Sequence, residues 1–180
     1  MIDRRSVGFA GGPGAPNSEV VRVDWDGWAL FGLIATAVLT AIMIVAQMVG
    51  LTRLDLPLLL GTLVSPDPDR ARAAGFFIHL GVGQGFALGY TAVFALLNRA
   101  TWWLGAGLGL IHVAIALTVI FPLLAGVHPR VASTRAGPAS TAVLEPPGLL
   151  GLNYGTQTPL VAVVAHLAYG VALGLLLTPD

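Results

Sequence analysis

The stretch WALFGLIATAVLTAIMIVAQMVG, residues 28–50, decides the fold class. It is apolar along its length and holds no Asp, Glu, Lys or Arg. About 20 such residues in a helix cross the hydrocarbon core of a bilayer. Three further stretches are of the same kind: residues 73–97, 102–124 and 160–177. The expectation is an all-α, integral membrane four-helix bundle over residues 24–180, with charges confined to the connections. The composition agrees: 56% of the chain is hydrophobic and 10% charged, against about 25% charged in ordinary soluble domains.

Nine basic residues, all Arg, balance nine acidic ones. A neutral chain has no electrostatic footprint for nucleic acid. The absence of cysteine removes disulfides, thiolate metal sites and cysteine nucleophiles. Orientation is not set by charge. Arg4, Arg5, Arg22 and Arg99 fall on the side of the termini, and Arg53, Arg70, Arg72, Arg130 and Arg135 on the other. Trp25, Trp28, Trp102 and Trp103 gather at the terminal side, as an interfacial aromatic belt does.

Residues 1–23 read as a flexible tail, because Arg4 and Arg5 are followed by a Gly/Pro-rich run and not by an apolar signal core. Asp24 is a candidate cap for the first helix, and Asp67-Pro68 for the second. Thr158-Pro159 has the same form before the fourth. Residues 51–66 are apolar but broken by Arg53, Asp55 and Pro57. They are too short to span, so an interfacial or re-entrant segment is expected. Asn98-Arg99-Ala100 is a tight turn, and Pro122 ends or kinks the third helix. Residues 125–158 form a long loop rich in Pro and Gly.

His79, His112 and His166 lie inside expected spans, where ionisable groups face a bundle interior or serve a site. They are candidate cofactor ligands for haem or a transition metal, with His128 as a further metal ligand at the loop side. Rise per residue puts His79 and His166 each roughly 9 Å from the loop side and His112 roughly 18 Å. On that count they meet only if the helices tilt or the boundaries differ. Each also shares a face with a glycine. Gly83, Gly85, Gly89, Gly105, Gly109, Gly170 and Gly174 are the candidate helix-packing positions, several with GxxxG spacing. His79-Leu80-x-x-Gly83 is matched by His166-Leu167-x-x-Gly170, a short parallel repeat. No HExxH or Glu-x-x-His pattern supports zinc proteolysis or ferritin-like chemistry.

Asp55-Leu56-Pro57-Leu58-Leu59-Leu60-Gly61-Thr62, His128-Pro129-Arg130, Glu145-Pro146-Pro147-Gly148 and Asn153-Tyr154-Gly155 resemble motifs of a family of small bacterial four-helix membrane proteins, a domain of unknown function. The resemblance covers about residues 50–177. It implies a multi-pass protein of the bacterial cytoplasmic membrane and brings no activity. It directs attention to a loop-side cluster of Asp55, Arg130, Asn153 and Tyr154 that would fold over the mouth of the bundle.

Three functional expectations follow. The first is a non-catalytic accessory or structural subunit in the lipid bilayer, packing against other membrane protein subunits. The second is a haem- or metal-binding membrane protein using the histidines. The third is a small transporter or channel.

Overall fold

The computed structural model describes residues 24–132 and 144–177. The tail expected over residues 1–23, and Arg135, lie outside them. Four long helices are apolar enough to cross a membrane. They are α1 (Trp25–Met48), α3 (Pro68–Leu96), a third built of α4 (Trp102–Ile115), a π-helical segment (Ala116–Ile120) and α5 (Phe121–Val127), and α6 (Thr158–Leu176). A six-residue helix, α2 (Leu56–Gly61), stands between α1 and α3. A 3-10 segment, Leu149–Tyr154, precedes α6. No strand occurs among the described residues, only an isolated bridge from Val131 to Leu144.

Local chemistry sets the helix ends, and at the first two long helices it does so at the caps expected from the sequence. The Asp24 carboxylate accepts from the Gly27 N–H at 2.7 Å, so α1 begins at Trp25, three residues ahead of its apolar span. Gly50, at φ +80°, follows its end. Asp67 accepts from the Arg70 N–H at 2.9 Å and starts α3 five residues before Ala73. Asn98 closes the turn after α3 in the left-handed region, which Asn tolerates. Pro122 does not end the third helix. It lacks an N–H and crowds the carbonyl four residues back, and the π segment just before it accommodates this, carrying helix on to Val127. Thr158 is not a cap. It is the first residue of α6, and its buried hydroxyl pairs with that of Thr52 at 2.7 Å.

The long helices pack as antiparallel neighbours, α1 on α3 and α4 on α6, with α1 also against α6. Glycine permits the closest approach. A Cβ at Gly105 would fall 2.0 Å from the Gly170 carbonyl oxygen, and one at Gly170 would fall 2.1 Å from that of Gly105. Gly174 meets the Thr101 carbonyl and Gly109 that of His166. On the other seam, Gly83 meets the side chain of Thr36. Gly85 and Gly89 differ: a Cβ there would meet none of the described residues within 4 Å. They face outward from the chain, as does Gly81. Tyr169, Phe94 and Leu39 fill the centre.

The two glycine classes predict opposite effects on thermal unfolding in detergent. Gly170→Ala drives a methyl into a backbone carbonyl and should cost about 1–3 kcal/mol, as overpacking does. Gly85→Ala should be neutral or gain up to about 1 kcal/mol of helix propensity. Equal effects would contradict the packing described.

Candidate functional site

The three intramembrane-type histidines come together. His79 from α3, His112 from α4 and His166 from α6 line one cavity of about 80 Å³. The His112 and His166 rings meet edge to face with centroids 4.6 Å apart, and each of the three lies within electrostatic reach of the others. The straight-rise estimate had separated them. It counts each helix from its own apolar boundary and takes no account of how the helices are set against one another, which for His112 and His166 is fixed by the contact of Gly109 with the His166 backbone.

The ring nitrogens can be assigned from their partners. His166 Nδ1 lies 2.8 Å from the Ala162 carbonyl, which can only accept, so Nδ1 carries the proton. His79 Nδ1 lies 2.8 Å from the Thr40 hydroxyl. That hydroxyl has one proton and directs it to the Thr36 carbonyl at 2.7 Å, so His79 Nδ1 must donate to Thr40. Both imidazoles therefore carry a proton on Nδ1, and because no carboxylate among the described residues lines the cavity to balance an imidazolium, the neutral form with an unprotonated Nε2 is favoured. No hydrogen-bond partner among the described residues occupies either Nε2. His112 is held differently. It stacks on Phe86 at 3.7 Å between centroids, and its Nδ1 is 3.5 Å from the Tyr90 hydroxyl, a long contact.

The rest of the wall is apolar. Val82 and Phe86 of α3, Leu117 of the π segment, Phe121 and Leu124 of α5 and Met43 of α1 contribute, and Leu56, Leu59 and Leu60 of α2 form a roof. That roof is fixed. Asp55 caps α2 by accepting from the Leu58 N–H at 2.9 Å, and its other oxygen accepts from Arg72 Nε at 2.8 Å. Gly61 and Gly75 let α2 touch α3 backbone to backbone: a Cβ at Gly61 would fall 1.6 Å from the Ala71 carbonyl. The segment after α1 is thus a short capped helix lying on α3.

His128 is not a free ligand. Its Nε2–H donates to the Leu59 carbonyl at 2.9 Å, and its Nδ1 accepts from the Arg130 N–H at 3.0 Å. Arg130 in turn donates to the Thr62 carbonyl. Both residues satisfy carbonyls at the C-terminal end of α2, where cations and donors are favoured. The loop-side residues do not form one cluster. Asp55 pairs with Arg72, Arg130 closes α2, and Asn153 and Tyr154 belong to a separate knot. There the Asn153 side chain donates to the Pro146 carbonyl at 2.9 Å, the Tyr154 hydroxyl to the Glu145 carbonyl, and Arg53 to the Asn153 carbonyl. Burial, with the Glu145 charge adding, pushes the Tyr154 phenol up to about 12, so it remains a donor at any physiological pH.

Among the described residues no three His, Asp or Glu side chains form a metal-ligand set. The cavity also lies far below the roughly 300–1,000 Å³ of ordinary ligand pockets, so haem does not fit it. The parts that sequence reasoning passed over are Thr40 and Met43. The repeat 36, 40, 43 on the buried face of α1 would have marked them as interior. Comparison with protein-family models, with curated proteins and with solved structures gave no match.

Burial of His128 lowers its pKa from 6.5, an effect the Leu59 carbonyl partly offsets. A histidine held neutral in the fold contributes stability that is full above its unfolded pKa and is lost as pH falls. Wild-type protein should therefore lose thermal stability between pH 7 and pH 5, and His128→Gln should lose less over that interval. An identical slope in the variant would exclude His128 as a contributor.

Proposed function

We propose that this chain is a multi-pass protein of the bacterial cytoplasmic membrane that binds a small Lewis-acidic ligand, a transition-metal ion, in the histidine-lined cavity under α2. One observation carries the reading. Two neutral imidazoles from different helices are locked by Nδ1 hydrogen bonds so that their Nε2 lone pairs remain unused within one cavity. Imidazole nitrogen held in this way is a metal donor with its orienting bond already made. The membrane setting is supported by the four long apolar helices and by large side chains such as Leu30, Phe77, Ile111 and Leu160 exposed on their outer faces. Lipid covers such a surface. Purified protein loaded with metal and desalted should retain it stoichiometrically. His79→Ala and His166→Ala should abolish retention, and a folded wild-type protein that retains no ion would refute the reading.

A second reading is favoured by a separate observation. Gly81, Gly85 and Gly89 repeat every four residues on the outer face of α3, where an added Cβ would meet none of the described residues. Glycine in a helix costs about 1 kcal/mol of propensity, and in a membrane its usual return is close approach by another helix. This supports an accessory subunit whose partner lays a transmembrane helix along α3. Gly85→Leu would then release a partner that co-purifies with wild type from native membranes, without lowering thermal stability. Retention of the partner by the variant would count against this face. No specific observation favours a transporter or channel, since the core beyond the cavity is filled by Tyr169 and Phe94.

A further inference from the structure

We infer that the ion taken by this cavity is monovalent copper, held by the Nε2 atoms of His79 and His166 and the thioether sulfur of Met43. The inference rests on the metal-binding reading above and adds the identity of the ion and the third donor.

Three properties of the cavity select the ion. The first is donor type. Met43 lies on α1 one turn beyond Thr40, the residue that fixes His79, and it lines the same cavity as His79 and His166. Thioether sulfur is a soft donor that selects Cu(I), and imidazole suits copper as well. The second is charge. Among the described residues no carboxylate or thiolate lines the cavity, so none of them compensates a cation. The electrostatic cost of placing an ion in a low-dielectric interior rises with the square of its charge, so a divalent ion costs about four times a monovalent one. Neutral donors therefore disfavour Zn(II) and leave Cu(I) as the tolerable ion. The third is coordination number. Zn(II) asks for four ligands and Mg(II) or Ca(II) for six or more oxygens, whereas among the described residues no three histidine or carboxylate side chains converge as a metal-ligand set, which leaves at most two imidazole nitrogens beside the one sulfur. A three-donor set of N and S suits Cu(I).

The step is simple binding. Cu(I) enters as the reduced ion and forms dative bonds to two nitrogens and one sulfur. Because both imidazoles are already unprotonated at Nε2, no proton is displaced. The bound site keeps the single positive charge of the ion, and no redox partner is required. His112, edge-on to His166 and stacked on Phe86, closes the far wall without needing to be a ligand.

The test uses the full chain in mild detergent under anaerobic, reducing conditions. Cu(I) is titrated against bicinchoninate, Zn(II) is titrated in parallel, and the copper-loaded sample is examined by X-ray absorption. Wild type should hold Cu(I) against the chelator in preference to Zn(II) and show a sulfur scatterer. Met43→Leu, which keeps the volume and should unfold at the wild-type temperature, should lose the sulfur scatterer and weaken binding. Thr40→Val removes the bond that orients His79 and should cost roughly 10- to 100-fold in affinity, as loss of an orienting partner does. Histidine-dependent retention of Zn(II) over Cu(I), or Cu(I) binding untouched by Met43→Leu, would overturn the inference and leave the metal-binding reading standing. Retention of no ion by folded protein would overturn both.

Discussion

The geometry of the site depends on how closely two helix backbones can approach. At Gly105, Gly109, Gly170 and Gly174, α4 and α6 come so near that a single added methyl would overlap a carbonyl oxygen. The same seam places His112 beside His166, for Gly109 lies directly against the His166 backbone. Larger residues there would hold the helices apart and separate the rings. Apolar association gives little drive between helices in lipid, so close packing of this sort has to supply the cohesion. The parallel repeat gains a meaning here. In both α3 and α6 the histidine faces the cavity, while the glycine four residues on meets another helix: Gly83 meets α1 and Gly170 meets α4.

The second constraint is that buried polar groups must be satisfied. It explains the tautomers. Thr36 and Thr40 spend their hydroxyl protons on carbonyls four residues back, which leaves Thr40 oxygen to receive His79. It also explains the roof. A six-residue helix has almost no stability of its own, and α2 is held by Asp55 at one end and by Thr62, His128 and Arg130 at the other. The long loop thus acts on the cavity through α2. The exposed Arg53–Glu145 pair at 3.5 Å adds little by itself. Gln84 shows the limit of the rule: its amide N–H reaches the Ala29 carbonyl at 2.8 Å, yet its Oε1 is buried against Gly32 with no hydrogen-bond partner among the described residues.

The four long helices were legible because length and lack of charge are properties of a stretch of sequence, independent of what it packs on. Asp24 and Asp67 were legible as caps for a similar reason, since capping is local. The site was only half legible. Histidines within apolar spans announce themselves, but their meeting depends on how the helices are set against one another, and that lies in contacts such as Gly109 against His166, which no single stretch of sequence states. His128 looked like a ligand because the sequence does not show that the end of α2 needs a donor. GxxxG spacing marks a face that can be approached closely without saying by what: Gly105 and Gly109 are filled from within the chain, and Gly85 and Gly89 are not. Met43 carried no signal beyond its place on the buried face of α1.

The central claim is that His79 and His166 are neutral and present an unprotonated Nε2 to the cavity. Nitrogen-15 magnetic resonance of protein labelled in its imidazole rings reports the protonation of each ring nitrogen directly, with His79→Gln and His166→Gln samples assigning the signals. The account predicts Nδ1–H with bare Nε2 for both residues in metal-free protein at neutral pH. Nε2–H tautomers, or imidazolium at either position, would contradict it.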